Sequence, residues 1–188
     1  MQIPRLETPR LILRGFTPED LEPMAAILAE RDTVRYFPRS EPWPREVVRK
    51  WLAAQHDHWQ QLGYGWWALE RRDTAEVIGW CGVGFLEDTN ETEVLYLLGK
   101  AHWGQGLATE AARFSLRYAF DNLRLRMIVG IVHPDNRGSR HVLEKIGLTF
   151  SNTAPYFGLD MLRYAIDRRQ FEAHYVPVGA LAVGAEAA

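Results

Sequence analysis

The first half of the chain carries two kinds of hydrophobic spacing. Residues 10–14, Arg-Leu-Ile-Leu-Arg, place a short apolar run between arginines and predict a first strand. Thr17 and Pro18 then provide a helix N-cap and a first helical residue. Apolar residues recur behind them at helical spacing, namely Leu21, Met24, Ala25 and Leu28. A second helix is predicted after Pro44, where one face collects Val47, Val48, Trp51, Leu52, Gln55 and Trp59.

The second half alternates between strand and helix patterns. Strands are predicted at 66–70, 77–85, 93–98 and 126–132, and in a late pair that includes 162–166. Helices are predicted at 106–120 and 139–146. The whole order is β-α-α-β-β-β-α-β-α-β-β. It predicts a mixed α/β fold in which an antiparallel half is followed by a β-α-β unit.

Length and charge exclude several classes of protein. A chain of 188 residues fits one domain, placed here at 1–177, and the Gly- and Ala-rich residues 178–188 predict a flexible tail. Lys and Arg number 22 against 24 Asp and Glu, which argues against a nucleic-acid partner. No apolar run approaches the about 20 residues of a membrane span, and the first residues show no secretory signal. We therefore expect a cytoplasmic protein without a membrane partner.

Two glycines in the middle of the chain form its most informative motif. An apolar strand ending at Leu98 leads to Gly104 and Gly106, and a helix begins directly behind them. Glycine lets a backbone approach a ligand closely, and the unpaired N–H groups of a helix start favour negative charge. The motif predicts a cradle for a phosphate-bearing ligand, although a simple tight turn also fits it. It lacks the Gly-Lys-Ser/Thr ending of a Walker A loop, and Thr109 occupies the third glycine position of a dinucleotide fingerprint.

Three segments together resemble the GNAT superfamily of acyl-CoA-dependent N-acyltransferases, and within it the ribosomal-protein alanine N-acetyltransferases. They are 7–14 (Glu-Thr-Pro-Arg-Leu-Ile-Leu-Arg), 103–111 (Trp-Gly-Gln-Gly-Leu-Ala-Thr-Glu-Ala) and 136–148, which holds Asn-Arg-Gly-Ser and Leu-Glu-Lys-Ile-Gly-Leu. The resemblance covers roughly residues 7–170. It implies a mostly antiparallel seven-stranded sheet, splayed around a parallel strand pair, with helices on both faces. It also implies transfer of an acetyl group from acetyl-CoA, without a metal, to an amine of a protein N-terminus or a small molecule.

The resemblance assigns a cofactor site residue by residue. Backbone amides of the glycine loop would hold the CoA pyrophosphate; the loop comprises Gly104, Gln105, Gly106, Leu107, Ala108 and Thr109. Leu97 and Leu98 would pair in β fashion with the pantetheine arm, and Asn136 and Ser139 would contact the cofactor beside the strand at 128–132. Trp103 stands where the superfamily more often has Arg or Gln, so the backbone would carry more of the phosphate binding.

Catalysis requires a base for the amine and a stabilised leaving thiolate. Amines with a pKa of about 8–10 are largely protonated at neutral pH, so a base must remove a proton, and a strand-borne carboxylate near the thioester could do this directly or through water. Glu93 matches the glutamate position of the family, but Glu91 lies on the same strand face, and Glu93 also fits an ordinary solvent-facing residue. Leu143 replaces the tyrosine that usually serves as the acid. The resemblance suggests Ser139 instead, which equally fits a helix-start serine.

The missing tyrosine also favours a second function, a catalytically impaired acyl-CoA-binding module that senses or scaffolds. No metal is expected, because His56 and His58 have poor ligand spacing, and Cys81 in an apolar strand predicts a buried small residue. Aromatic residues make up 12% of the chain. We expect about two thirds of the first-half tryptophans in the core, and the others at an acceptor cleft or at the patch of a homodimer; they are Trp43, Trp51, Trp59, Trp66, Trp67 and Trp80.

Overall fold

Eight strands form one sheet in residues 2–175, the part of the chain that this computed structural model describes. They are β1 (Leu6–Glu7), β2 (Leu11–Arg14), β3 (Trp66–Arg71), β4 (Val77–Leu86), β5 (Glu91–Leu98), β6 (Met127–Val132), β7 (Thr149–Tyr156) and β8 (Leu159–Asp167). Their order across the sheet is β1-β2-β3-β4-β5-β6-β8-β7, and every neighbouring pair is antiparallel except β5 with β6. The predicted mixed α/β class is confirmed. The predicted count of seven strands is corrected to eight, because β1 has only two residues and no period for a pattern to detect.

Six α-helices and two 3-10 turns connect these strands within the described residues. The helices are α1 (Leu21–Ala29), α2 (Arg31–Val34), α3 (Arg45–Leu62), α4 (Leu107–Asp121), α5 (Arg137–Lys145) and α6 (Arg168–His174), and the turns are Pro18–Asp20 and Lys100–His102. None of these helices is both long enough and apolar enough to cross a membrane. The predicted tail at 178–188 lies outside the described residues.

Local residue chemistry fixes several helix ends. The Asp20 carboxylate accepts a hydrogen bond from the Thr17 N–H at 2.8 Å, so a capping box at the predicted N-cap Thr17 closes a 3-10 turn ahead of α1. Gly63 ends α3 in the left-handed region, with φ +76°. Helix α5 begins at Arg137 rather than at the predicted Ser139, because the Asn136 side chain caps it two residues earlier.

Side-chain alternation along the strands gives the sheet two differently covered faces. One face packs under α1 and α3, and its buried residues are Met24, Ile27, Leu28, Val34, Val48, Ala68, Val77, Trp80 and Leu97. The other face packs under α4, and its buried centre includes Trp59, Trp67, Ile78, Cys81, Val94, Leu98, Ala111, Leu116 and Phe120. Helices therefore cover both faces, as the resemblance implies.

The two parallel strands pair at one point and then separate. Glu93 of β5 is in register with Val129 of β6, and within the described chain no later residue of β5 has a partner in β6. The Gly99 N–H donates to the Ile78 carbonyl at 2.9 Å. Because bonding alternates along an antiparallel pair, the odd-numbered residues of β5 bond to β4. The even-numbered residues of β5 consequently direct their N–H and C=O groups into a split that opens between β5 and β6.

Candidate active site

The glycine loop has the geometry of an anion cradle. Gly104 has φ +72° and Gly106 has φ +76°, a left-handed conformation that favours glycine at both positions. An added Cβ would meet nothing within 4 Å at Gly104, so the loop is open on that side. The first backbone bond of α4 runs from the Glu110 N–H to the Gly106 carbonyl at 3.0 Å. The amides at 107–109 precede it and lack partners within the helix, so the tight turn leaves them available to an anion, and phosphate binding by this loop stays a prediction.

A side-chain network anchors this loop to the N-terminal strands. Arg10 donates to the Gln105 carbonyl at 2.8 Å and to the Glu110 carboxylate at 2.6 Å. The Thr8 hydroxyl donates to the other Glu110 oxygen at 2.5 Å. Burial alone would raise the pKa of Glu110, but these donors outweigh burial and hold that pKa below its ordinary value. The sequence predicts functional segments at 7–14 and at 103–111 but not the contact between them, because Arg10 and Glu110 come together only in the tertiary fold.

Trp103 forms a hydrogen bond with the backbone at the end of β5. Its indole N–H donates to the Leu98 carbonyl at 2.7 Å, while 46% of its surface stays exposed. Leu98 is an even-numbered residue of β5, so Trp103 is hydrogen-bonded to one of the backbone carbonyls that point into the split. The side chains of Leu97 and Leu98 are buried on opposite faces of the sheet. The Leu97 backbone bonds to β4, so of these two residues only the Leu98 N–H remains directed into the split.

The start of α5 lies beside the split. The Asn136 Oδ1 accepts a hydrogen bond from the Ser139 N–H at 3.1 Å, so Asn136 is the helix cap and Ser139 is in the first turn. The Tyr96 hydroxyl reaches across from β5, donates to the Ser139 carbonyl at 2.9 Å and lies 3.0 Å from the Ser139 Oγ. Burial raises the pKa of Tyr96 despite the hydrogen bond with Ser139. Sequence analysis missed Tyr96, since its strand pattern does not show what the side chain meets.

Leu143 belongs to the core. It is 2% exposed, and a Cβ on Gly130 of β6 would lie 2.5 Å from the Leu143 Cδ2. Gly130 therefore makes room for an apolar side chain where the family more often has the tyrosine.

The two glutamates of β5 differ in their partners. Arg163 donates to one Glu91 oxygen at 2.6 and 2.9 Å, and the Tyr156 hydroxyl donates to the other at 2.8 Å. Burial would raise the pKa of Glu91, but these hydrogen bonds hold it below its ordinary value. Within residues 2–175 no side chain donates to the Glu93 carboxyl, and burial, with the nearby charge of Glu91, raises the pKa of Glu93 to about 8. Glu93 sits where β5 and β6 part.

In the described part of the chain, the histidine and cysteine side chains do not gather into a metal-binding group. No group of three metal-ligating side chains occurs in residues 2–175. Cys81 is buried, its Sγ lies 3.2 Å from the Ser115 Oγ, and burial raises the pKa of its thiol to about 12. The His133 Nδ1 accepts from the Asp135 N–H at 3.2 Å. His102 lies 3.5 Å from Glu76.

The first-half tryptophans divide between buried positions and half-buried positions. Trp59 and Trp67 are buried under α4, and Trp80 is buried under α1 and α3. Trp66 is half-buried and stacks on Trp80 at 5.0 Å between ring centroids. Its indole Nε1 lies 3.1 Å from the position of a Cβ on Gly84, and Gly84 is the cross-strand partner of Glu93. Trp66 therefore lies over the β4 position that is opposite Glu93, on the α1 and α3 face.

Comparison with known proteins decides the family. The profile of a family described as an acetyltransferase (GNAT) domain matches residues 10–149. The chain belongs to the GNAT family of acetyltransferases. The resemblance in the sequence is thereby confirmed, and the protein is an acyl-CoA-dependent N-acetyltransferase.

Individual GNAT relatives extend the comparison. An uncharacterized N-acetyltransferase, YoaA of Bacillus subtilis, is 32% identical over 145 residues, which is 77% of this chain and 82% of YoaA. The crystal structure of an acetyltransferase from Agrobacterium tumefaciens superposes with a TM-score of 0.79 at 29% identity, covering 89% of this chain and 96% of that one.

Two Vibrio cholerae structures share the GNAT fold at lower identity. A putative ribosomal-protein-serine acetyltransferase has a TM-score of 0.73 at 19% identity, covering 87% of this chain and 97% of its own. A spermidine N-acetyltransferase in complex with CoA and spermine has a TM-score of 0.71 at 19% identity, covering 87% and 99%. At these identities both comparisons show the fold alone.

Proposed function

We propose that the protein transfers the acetyl group of acetyl-CoA to a primary amine by direct attack. The amine nitrogen bonds to the thioester carbonyl carbon, the carbon–sulfur bond breaks, and its electron pair leaves on the CoA sulfur. The proton of the amine passes to the Glu93 carboxylate. The observation that carries this proposal is the unpaired Glu93 carboxyl at the point where β5 and β6 separate.

The residues around the split fit acetyl-CoA as donor. The loop from Gly104 to Thr109 carries no charged side chain of its own, its residues 104–106 are exposed, and its backbone amides can bind a pyrophosphate. The backbone groups that even-numbered β5 residues direct into the split, other than the Leu98 carbonyl bonded to Trp103, suit a pantetheine amide, as in β-strand addition. Asn136 and Ser139 lie on the far side of the same opening, at the start of α5. A relative of the same fold is known in complex with CoA.

Glu93 has the proton affinity that a base for amines needs. With a pKa near 8, its carboxylate holds a proton more strongly than an ordinary glutamate. Its affinity then approaches that of an α-amine, whose pKa is about 8. We expect kcat/KM to rise with pH through this region, because only the ionised carboxylate accepts the proton.

The acceptor is a protein N-terminus or a small-molecule amine. The structural neighbours named for a ribosomal protein and for spermidine use the same fold, so the fold alone is compatible with both. Trp66 supplies an aromatic surface next to Glu93 on which an amine-bearing group can lie. We propose that Trp66 and the residues around it, rather than the glycine loop, select the acceptor.

Thiol release from acetyl-CoA tests the proposal with a panel of amines, including peptides with different N-terminal residues and polyamines. Glu93→Gln should lower kcat by roughly 10²–10⁴-fold with little change in CoA affinity. Glu91→Gln is the matched variant on the same strand face. It should lower kcat less than Glu93→Gln, because Glu91 is committed to Arg163 and Tyr156.

Two outcomes would contradict the proposal. An unchanged rate in Glu93→Gln would remove Glu93 from the mechanism. Binding of CoA without thiol release above the amine-free rate, for every amine of the panel, would favour the acyl-CoA-binding module instead.

A further inference from the structure

The leaving group of the proposed reaction has no acid at the expected place. A thiolate departs more easily when a donor stabilises its developing charge, and Leu143 is an apolar core residue where a tyrosine would do this. The following inference rests on the proposed function and concerns the hydroxyl groups that the structure places at the split instead.

Tyr96 and Ser139 join the two sides of the split. Tyr96 is an even-numbered residue of β5, three positions beyond Glu93, and its hydroxyl lies within 3.0 Å of both the carbonyl and the Oγ of Ser139. Tyr96 is on the α4 face of the sheet, whereas Glu93 is on the face under α1 and α3. A thioester held in the split between them would meet the base from one face and these hydroxyls from the other.

We propose that Tyr96 is a positioning residue for the leaving group, holding the Ser139 hydroxyl so that it donates a hydrogen bond to the departing CoA thiolate. The phenol can donate to the Ser139 carbonyl or to the Ser139 Oγ. When it donates to the Oγ, the Ser139 hydrogen is free to turn toward the sulfur. The chain Tyr96 O–H to Ser139 O–H to sulfur then polarises along its length.

No proton leaves Tyr96 in this step. The carbon–sulfur electron pair goes to sulfur, Ser139 stabilises it by a hydrogen bond, and solvent protonates the free CoA after release. Burial makes ionisation of the phenol unfavourable, in keeping with a fixed donor rather than an acid that loses its proton. Ser139 touches the substrate, and Tyr96 acts through Ser139.

The thiol of bound CoA gives a readout that needs no turnover. Its pKa can be titrated in the complex from the ultraviolet absorbance of the thiolate. A hydrogen bond to the thiolate lowers the thiol pKa, so Tyr96→Phe and Ser139→Ala should each raise it by about one unit. Tyr175→Phe is the matched control, because its half-buried phenol donates to the carbonyl of Ile146 at the other end of α5, at 2.9 Å. We expect the bound-thiol pKa of this control to match the wild type.

The second experiment varies the leaving group. The acetyl selenoester of CoA releases a selenolate, a weaker base than the thiolate, which needs less stabilisation. Tyr96→Phe should lower kcat about 10-fold with acetyl-CoA and less than about 3-fold with the selenoester, with KM for either donor nearly unchanged. The Tyr96→Phe and Ser139→Ala effects should not add in the double variant, because both residues act on one hydrogen bond.

The outcomes separate this inference from the proposed function. An unshifted thiol pKa in Tyr96→Phe, equal loss of rate with both donors, or lost CoA binding would overturn the inference and assign Tyr96 a purely architectural role. A wild-type protein that transfers acetyl groups to no amine would refute the proposed function, while the thiol titration would still report on the Tyr96–Ser139 pair.

Discussion

The two glutamates of β5 have pKa values shifted in opposite directions because their side chains have different neighbours. Glu91 lies between Arg163 and Tyr156, which satisfy both of its oxygens and favour its ionised form. Glu93 is two positions further along and has no donor among the described side chains, so burial dominates and favours its neutral form. A carboxyl that is reluctant to ionise binds a proton strongly once it has ionised. This difference makes Glu93 the better candidate base.

The raised pKa of Glu93 predicts a stability that depends on pH. Between the ordinary value of 4.5 and about 8, the unfolded chain ionises Glu93 while the folded chain keeps its proton. The free energy of unfolding should therefore fall as pH rises through this window and level off above it. Glu93→Gln removes this term, so its stability relative to wild type should increase by roughly 1–3 kcal/mol between pH 5 and pH 9, a range that allows for water reaching part of the side chain.

Urea unfolding of ligand-free protein at the two pH values measures this change. Glu87→Gln, an exposed residue between β4 and β5, is the control and should show the same pH dependence as wild type. A wild-type minus Glu93→Gln difference that does not vary with pH would show that Glu93 titrates as an ordinary glutamate.

At the scale of elements, the cradle depends on a strand that lies outside it. Arg10 precedes β2 and bonds to the Gln105 carbonyl and to Glu110 on the first turn of α4. The loop carries two glycines with left-handed φ, which gives it little conformational preference of its own. The arginine thus limits the freedom of the loop before a ligand arrives, and less ordering is left for binding to cost.

Removing the Arg10 side chain should weaken CoA binding without changing the rate of acetyl transfer. Arg10→Gln is expected to raise the Kd for CoA about 3- to 10-fold, as the loss of roughly 1 kcal/mol would, and to leave kcat at saturating acetyl-CoA within about 2-fold. Calorimetry measures the Kd. Arg5→Gln is the control, since Arg5 is exposed and pairs only with exposed Glu7 among the described residues. An unchanged Kd in Arg10→Gln would mean that the loop holds its shape alone.

The elements that pattern predicts are those whose length exceeds one period. The strands of the middle region and the helix behind Gly106 were predictable because apolar residues repeat several times within each. The two residues of β1 and the four of α2 contain no repeat, and the start of α5 was displaced by a cap at Asn136. The contacts of Arg10, Tyr96 and Glu91 were not predictable, because each joins segments that are distant in sequence and adjacent only in the folded sheet.

For the molecule as a whole, the important feature is a sheet that opens along one line. Pattern indicated a parallel pair but not where it would part, since that depends on register at Glu93 and Val129. On one side of the opening stand β5 and the glycine loop, and on the other stand β6 and α5. A ligand that contacts both sides links two halves of the sheet that backbone hydrogen bonds no longer join there. Its binding free energy should therefore appear as global stability.

Acetyl-CoA at 100 times its Kd should raise the free energy of unfolding by about 2.7 kcal/mol, provided that the unfolded chain does not bind it. Gly106→Asp should abolish this increase, because it places a negative charge and a Cβ in the cradle. Gly63→Asp is its matched control, with the same φ of +76° and open space around it, but at the end of α3. Both variants should lose about 1–2 kcal/mol without ligand through backbone strain, and only Gly63→Asp should regain stability when acetyl-CoA is added. Thermal and urea unfolding with and without acetyl-CoA measure both effects, and full ligand stabilisation of Gly106→Asp would show that the glycine loop does not hold the cofactor.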